Sequence, residues 1–194
     1  WCCWFVMNPP EVEGAHSHRV FFALWPDAEA MSHLAALGHS LASPGSRPMR
    51  PHSLHLTLAF IGSVTSAQLA QLHVIAESVR AEAFELSLDR LGFWPQRGVL
   101  WAGCEHTPSP LRRLFEALSD ALTAANFRFE RQGGKSPLPH VTLARRVRCR
   151  NLPRLDTPIT WQVSEFALVE SHLHPSAVSY RTVGRYPLAV ADPP

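Results

Sequence analysis

The sequence predicts an α+β fold in which a pattern of strand, helix, loop and strand occurs twice. Two observations lead to this prediction: the order of the predicted segments, and a four-residue motif that recurs at the same place in both copies. With 194 residues, the chain is long enough to bury a sizeable hydrophobic core. No short period repeats along the chain, which excludes collagen-like, coiled-coil and solenoid architectures.

The first copy of the pattern begins at residue 19. Runs of apolar and β-branched residues predict strands, and apolar residues three or four positions apart predict helices. Clusters of Pro and Gly predict loops. In chain order, these patterns predict a strand at Arg19–Trp25, a helix at Ala28–Leu41, a loop at Ser43–Pro51, a strand at Leu54–Ile61, a helix at Ser66–Arg80 and a strand at Phe84–Leu91.

The second copy begins at residue 98 and repeats this order. It is predicted to contain a strand at Gly98–Cys104, a helix at Pro108–Ala125, a loop at Gln132–Pro139 and strands at Val141–Arg146, Ile159–Val163, Phe166–Leu173 and Ser179–Tyr186. The copies extend over about residues 19–91 and 98–188 and are expected to form a single domain at 18–190. Residues 1–17 are predicted to be a disordered tail, and residues 191–194 a second tail.

The cysteines and the hydropathy of the chain predict a cytosolic location. The four cysteines have neither the number of a disulfide framework nor the spacing of a zinc site. We therefore expect reduced thiols and a cytosolic protein. No apolar run approaches the roughly 20 residues of a membrane span, so no membrane association is expected.

The recurring motif is His-x-Thr-Leu. It occurs as His55-Leu56-Thr57-Leu58 and as His140-Val141-Thr142-Leu143, each time after a Pro-containing loop and at the start of an apolar strand. A random order of the same residues is expected to contain only about 0.06 such matches. The two matches, at equivalent places in a duplicated pattern, therefore indicate a shared function.

The spacing of the motif places an imidazole and a hydroxyl side by side. Residues i and i+2 of a strand point to the same face, so two such strands can present two histidines and two threonines to one groove. A neutral His can take a proton from water or a ribose hydroxyl, and a protonated His can give one to a leaving oxygen. Hydroxyls can hold phosphate oxygens. This chemistry suits phosphodiester cleavage and requires no metal.

Two other interpretations of the histidines are weaker. A single strand His is usually a surface residue or a satisfied core residue, but a paired motif is not explained in this way. A zinc site would need further ligands, and neither motif contains Asp, Glu or Cys. We therefore predict no metal and no cofactor.

The paired motifs resemble those of the 2H phosphoesterase superfamily. The closest similarity is to its RNA 2′,3′-cyclic phosphodiesterases, also called 2′-5′ RNA ligases or LigT-like proteins, and it covers about residues 19–188. Tyr186 stands where the family usually has Trp. The similar segments are RVFFAL (19–24), LHLTLAFIG (54–62), GVLWAG (98–103), PHVTLARR (139–146) and the closing Tyr180 and Tyr186-Pro187-Leu188.

The resemblance implies a fold and an activity. The expected fold is bilobal, with two pseudo-symmetric αβ lobes whose antiparallel sheets flank a central groove. The expected activity is hydrolysis of RNA 2′,3′-cyclic phosphate ends to 2′-phosphate ends, and some members also join tRNA halves reversibly through a 2′-5′ linkage without ATP. By similarity, we expect His140 to be the general base and His55 the general acid, with Thr57 and Thr142 binding the phosphate. A monomer is expected.

Three residues outside the motifs are further candidates. Arg145 follows His140 by five positions, where the family pattern implies phosphate contact, although such a residue points away from the His face unless the strand bends. Phe60 has the same offset from His55 and could stack on a nucleobase or pack in the core. Phe93, which lies with Trp94 in a predicted loop, could also stack on a base, but packing in the core or between the lobes is the simpler interpretation.

Arginine carries almost all the positive charge. The formal net charge is only +2, and Lys135 is the single lysine among 18 Lys+Arg residues. Arginine has a planar fork that matches phosphate, and seven arginines flank the motifs. They are Arg47, Arg50, Arg145, Arg146, Arg148, Arg150 and Arg154.

The sequence leaves two other functions open. One is a 2H phosphodiesterase that acts on a small cyclic or 2′-5′ linked nucleotide instead of RNA. The other is a non-catalytic RNA-binding module, although a binding module has no need of two proton carriers.

Overall fold

A computed structural model describes residues 17–130, 138–149, 151–173 and 178–190. These ranges contain three helices, namely α1 (Ala28–Ser40), α2 (Ser66–Ser78) and α3 (Ser109–Ala124), and a 3₁₀ helix at Pro51–Ser53. They also contain ten strands: β1 (His18–Leu24), β2 (Arg47–Pro48), β3 (Leu56–Val64), β4 (Phe84–Leu88), β5 (Arg90–Trp94), β6 (Val99–Gly103), β7 (His140–Arg145), β8 (Ile159–Val163), β9 (Glu165–Leu173) and β10 (Val178–Pro187). The predicted α+β class is confirmed. None of the helices in these ranges is long and apolar enough to cross a membrane.

Local sequence signals account for the starts of the first two helices. The Asp27 carboxylate accepts a hydrogen bond from the Ala30 amide at 2.8 Å and caps α1. Thr65 and Gln68 form a reciprocal capping box at the start of α2. Such caps satisfy amides that have no partner within the helix.

The main sheet has two halves that meet at one residue pair. The first half-sheet has the strand order β10-β9-β1-β3, and the second has the order β7-β6-β5, with β2 added beside β7. All pairs are antiparallel. Strands β3 and β7 pair only at Leu56 and Val141, so each half-sheet has its motif strand at this seam. Strands β4 and β8 form a separate two-stranded sheet.

The two sequence copies are interwoven in space. Strands β9 and β10 come from the second copy but complete the first half-sheet through the β1–β9 pairing. Helix α1 contacts β7, and helix α3 contacts β3, so each helix supports the motif strand of the other copy. A Cβ atom at Gly38 of α1 would lie only 2.9 Å from the Leu143 carbonyl oxygen. One hydrophobic core runs beneath both half-sheets.

The predicted strand at Phe84–Leu91 is wrong, because two strands in different sheets occupy this segment. The chain leaves β4 at Leu88 and enters β5 at Arg90. Asp89 makes the change of sheet possible, since its amide donates to the Gly103 carbonyl at 3.1 Å. The burial of alternate residues shifts phase here, from even-numbered residues to Leu91.

The predicted loop around Phe93 and Trp94 is also wrong, because both residues lie in β5 and pair with β6. Gly92 belongs to the strand, since the Trp101 ring occupies the space that a Cβ atom there would need. Glycine therefore marks a close approach here and not the end of a strand.

The predicted loop at Ser43–Pro51 contains β2. Pro48 cannot donate a hydrogen bond, which restricts it to a sheet edge, and β2 is such an edge beside β7. The Met49 amide donates to the Leu143 carbonyl at 2.8 Å and fixes the segment there. The predicted tails, apart from residue 17, and most of the predicted loop at Gln132–Pro139 lie outside the described residues.

Candidate active site

The four motif side chains face one side of the sheet. Leu56 and Val141, which pair at the seam, are both fully buried in the core. Because side chains alternate along a strand, the neighbours of this pair point to the opposite face. The antiparallel pairing also places the His of each strand on the side of the Thr of the other. The structure thus brings together His55, Thr57, His140 and Thr142 as the sequence predicts.

Strand β3 has a β-bulge directly after its motif Thr. Thr57 pairs with Ala23 of β1, and Ala59 pairs with the preceding residue, Phe22. Leu58 is therefore the extra residue on β3. It is the fourth residue of the first motif.

Strand β7 has its bulge at the equivalent position. Thr142 pairs with Trp101 of β6, and Ala144 pairs with Leu100, so Leu143 is the extra residue. One extra residue reverses the alternation of side chains beyond it. The fifth residue after each motif His consequently turns toward the His face.

Arg145 is the fifth residue after His140, so the bulge at Leu143 turns its side chain toward the His face. Its positive charge lowers the pKa values of both His55 and His140, so the guanidinium stands near both imidazoles. Arg145 is exposed, and its cross-strand neighbour on β2 is Arg47. Neither arginine has a carboxylate partner within the described ranges. Both are therefore available to an anion.

The two histidines are held in the same tautomer. The Nδ1 atom of His55 lies 2.8 Å from the Ser53 carbonyl oxygen. The Nδ1 atom of His140 lies 2.8 Å from the Leu138 carbonyl oxygen. A carbonyl can only accept, so Nδ1 carries the proton in each ring. The Nε2 atom of each neutral histidine therefore carries no proton and can accept one.

Burial lowers the pKa values of both histidines. The pKa of His55 falls to about 4, mainly because burial disfavours the charged ring, with smaller contributions from the charges of Arg145 and His140. The pKa of His140 is lowered by burial and by Arg145. In both cases the hydrogen bond to the backbone carbonyl acts in the opposite direction. Both rings are therefore neutral near pH 7 in the free protein.

Aromatic rings surround His55. The ring centroids of Phe21, Trp25 and Tyr180 lie 4.9, 5.5 and 5.1 Å from that of His55. Phe21 lies in β1 and Trp25 directly follows the end of that strand, four residues later. Tyr180 comes from β10. These rings form the apolar surroundings of the imidazole.

Two tryptophans surround His140. The Trp94 ring stands perpendicular to the His140 ring with centroids 4.7 Å apart, and the Trp101 ring lies 5.9 Å away. Of the five rings around the two histidines, only Trp94 was named from the sequence, as the neighbour of Phe93 in a predicted loop. Phe21, Trp101 and Tyr180 occur in the segments that carry the family resemblance, which was the available signal for these three.

Phe60 and Phe93 have different surroundings. Phe60 packs with Phe21 outside the main core, and the Arg19 guanidinium lies 4.8 Å from the centre of its ring. Phe60 therefore lies on the His face, as the bulge in β3 requires. Phe93 packs against the main core, and its neighbour Trp94 is the residue that reaches His140.

Within the described ranges, no three residues among His, Cys, Asp and Glu stand close enough together to hold a metal ion. Metal independence stays a prediction that a chelator can test.

Comparison with known proteins identifies the family. The family model of the 2′-5′ RNA ligase superfamily matches residues 22–175, a range that includes both motifs. The chain belongs to this superfamily. The resemblance inferred from the paired His-x-Thr-Leu motifs is thereby confirmed.

Relatives of known function and structure cover most of the chain. The RNA 2′,3′-cyclic phosphodiesterase of Escherichia coli K12 is 30% identical over 88% of this chain and 96% of its own. The RNA 2′,3′-cyclic phosphodiesterase of Aeropyrum pernix is 35% identical over 63% of this chain and 70% of its own. The crystal structure of E. coli LigT complexed with 3′-AMP has a TM-score of 0.79 at 28% identity, and the match covers 90% of this chain and 99% of LigT. The LigT-like fold expected from the resemblance is confirmed.

Proposed function

We propose that this protein hydrolyses RNA 2′,3′-cyclic phosphate ends to 2′-phosphate ends. The observation that carries the proposal is the placement of two histidines and two threonines on one face, with both Nε2 atoms free to exchange protons. The relatives that share most of the chain are phosphodiesterases of this type.

The geometry supports a mechanism with one proton acceptor and one proton donor. Nε2 of His140 removes a proton from water while the water oxygen forms a bond to phosphorus. The bond between phosphorus and O3′ breaks, and the protonated Nε2 of His55 gives its proton to O3′. The product has a 2′-phosphate and a 3′-hydroxyl. Solvent then returns both histidines to their starting protonation states.

The threonines and Arg145 stabilise the phosphate during this reaction. The hydroxyls of Thr57 and Thr142 donate hydrogen bonds to the non-bridging oxygens and hold the phosphorus in line with the attacking water. The Arg145 guanidinium balances the negative charge that develops on these oxygens. Its neighbour Arg47 provides a second cation for the RNA backbone. Phe60 stacks on a nucleobase along the RNA.

Substrate binding is needed to charge His55. Its pKa of about 4 leaves it neutral in the free protein near pH 7. The negative phosphodiester raises that pKa, because an adjacent anion favours the imidazolium. The active state thus has a proton on His55 and none on His140. If the 5′-hydroxyl of a second RNA replaces water as the attacking group, the same step breaks the bond between phosphorus and O3′ and joins the two RNAs through a 2′-5′ linkage without ATP.

An end-group assay tests the proposed function. Purified protein with EDTA should convert a short RNA with a 2′,3′-cyclic phosphate to the 2′-phosphate product. His55→Ala and His140→Ala should each lose about 10²-fold or more in kcat. Full activity in either variant would exclude the two-histidine mechanism, and activity that disappears in EDTA and returns with zinc would favour a metal site.

A substrate panel separates RNA from small nucleotides. The same assay should include 2′,3′-cyclic mononucleotides and 2′-5′ linked dinucleotides. A kcat/KM that is highest for RNA supports the proposal, and turnover of small nucleotides alone would replace RNA as substrate. Binding of RNA without any turnover would favour the non-catalytic alternative. Gel filtration should show that the protein is a monomer. Cell fractionation should find the protein in the cytosol.

A further inference from the structure

A cavity of about 500 Å³ lies beside His55 and has no role in the mechanism described above. Its walls come from the segment between β1 and α1, the start of α1, the 3₁₀ helix, and strands β8, β9 and β10. Its lining includes Trp25, Tyr180, Phe166, Thr182, Glu165 and Arg185. A cavity of this volume is within the range of small-molecule sites.

Two aromatic side chains connect this cavity to the reacting histidine. Trp25 and Tyr180 line the cavity, and both also contact the His55 ring, with centroid separations of 5.5 and 5.1 Å. Trp25 and Tyr180 therefore each connect the His55 imidazole, which is the proposed proton donor, to the cavity that they line. His140, on the opposite side of the seam, does not line the cavity.

The proposed mechanism determines on which side of the phosphate the ribose lies. His55 gives its proton to O3′, so the ribose of the terminal nucleotide must stand on the His55 side of the phosphorus. Water attacks from the opposite side, where His140 lies. The base extends from the ribose away from the phosphate, and on the His55 side the cavity is lined by Trp25 and Tyr180, the same rings that contact the imidazole.

We propose that the cavity binds the nucleobase of the nucleotide that carries the 2′,3′-cyclic phosphate. The inference rests on the proposed function and adds the location of the base to it. Trp25 and Tyr180 supply aromatic surfaces of the kind on which RNA-binding proteins stack splayed bases. The Phe166 side chain adds an apolar wall.

The polar groups of the cavity suit the edge of a base. Glu165 and Arg185 form an ion pair that lines the cavity, with 40% and 58% of their side chains exposed. A guanidinium has five N–H donors and a carboxylate has several acceptor positions, so the pair keeps hydrogen-bonding capacity beyond its mutual contact. A base edge with adjacent carbonyl and amino groups can use both residues.

Phe60 is a less suitable partner for this base. The Arg19 guanidinium already covers one face of its ring at 4.8 Å. Phe60 also lies five residues further along the chain than His55, whereas Trp25 and Tyr180 contact His55 directly. Phe60 is therefore assigned to a neighbouring base of the RNA.

Thr182→Trp tests the proposal by filling the cavity. Thr182 lies two residues after Tyr180 on β10, is partly exposed and lines the cavity. The KM for cytidine 2′,3′-cyclic phosphate should rise about 10-fold or more while kcat stays within about 2-fold, because the base loses its place and the reacting groups do not move. The inhibition constant of inorganic phosphate should not change. Thr160→Trp, at an exposed strand position that does not line the cavity, is the matched control.

Thr182→Leu provides a variant with less added bulk. Thermal melting identifies any variant that fails to fold, and the leucine variant should then show a smaller rise in KM of the same kind. The control for it is Thr160→Leu.

The possible results lead to different conclusions. An unchanged KM for the mononucleotide in folded Thr182 variants would overturn the proposal. A rise in KM for an oligonucleotide but not for the mononucleotide would also overturn it, because the cavity would then bind the next nucleotide. If the wild-type protein opens no cyclic phosphate at all, the proposed function itself fails, whereas an active wild type with unaffected variants removes only this inference.

Discussion

The surroundings of His55 and His140 differ although their backbone settings are the same. Each His donates from Nδ1 to the carbonyl two residues earlier at 2.8 Å, and each is followed by a bulge at the motif Leu. His55, however, lies among rings from two strands of the first half-sheet and the residue after β1, whereas His140 lies against two tryptophans from β5 and β6.

This difference originates in the strands that are added to each motif. The first half-sheet contains β9 and β10, which supply Tyr180 and much of the cavity wall. The second half-sheet ends at β5 and carries Trp94 against His140. The duplicated motif thus provides two histidines with equivalent backbone settings, and the strands around them make the two sides of the site chemically different. The difference supports the assignment of the ribose to the His55 side.

The largest expected effect is on the pH dependence of the two histidine variants. Both should lose about 10²-fold or more in kcat, but the shape of the residual pH–rate profile should differ. His55→Ala removes the proton donor, so its profile should lose the decline on the alkaline side. His140→Ala removes the base and should lose the decline on the acid side. The profiles of kcat against pH between 5 and 9 provide the check, and exchanged limbs would reverse the assignment.

A second difference should appear in stability at low pH. The pKa of His55 in the folded protein is about 4, compared with 6.5 for an ordinary histidine. Between these values the unfolded chain binds a proton that the folded protein does not, so the free energy of unfolding falls as the pH decreases. The difference corresponds to about 3 kcal/mol for a fully realised shift. Urea unfolding at pH 7 and pH 4 should show a smaller loss in His55→Gln than in the wild type. Equal losses in the two proteins would contradict the burial of His55.

A smaller effect should appear when Arg145, whose charge acts on both histidines, is replaced. Arg145→Gln should raise the pKa values of His55 and His140 together, because the Arg145 charge lowers both. The expected cost is about 10-fold in kcat/KM through the lost phosphate contact. NMR titration of the imidazole protons measures the pKa values, and Arg146→Gln, at the adjacent exposed position, is the matched control. A shift in only one histidine would mean that Arg145 does not stand between them.

The direction of the Arg145 side chain could not be derived from the sequence. Strict alternation from His140 points a residue at the fifth position into the core. The bulge at Leu143 removes this conflict, but it arises from the register between β6 and β7. Pairing between segments about 40 residues apart cannot be derived from the residues of β7 alone. The same argument applies to Phe60 and the bulge at Leu58.

The segment Phe84–Leu91 shows a similar limit of what sequence patterns can predict about the fold. The sequence of Phe84–Leu91 has strand character throughout, so it was predicted as one strand. Its division depends on β8 and β6, which pair with its two parts and belong to different sheets. The change in phase of the buried residues at Leu91 was present in the sequence and could have indicated the break.

The sequence by itself determined the class of fold and identified the two histidines and two threonines that share one face of the sheet. These depend on local properties: residue type, alternation over two positions along a strand, and helical spacing of apolar residues. Only the tertiary structure decided that β9 and β10 join the first half-sheet, that two bulges turn Arg145 and Phe60 to the His face, and that a cavity opens beside His55. Each of these depends on contacts between residues far apart in the chain, which packing of the whole core selects and no local pattern encodes.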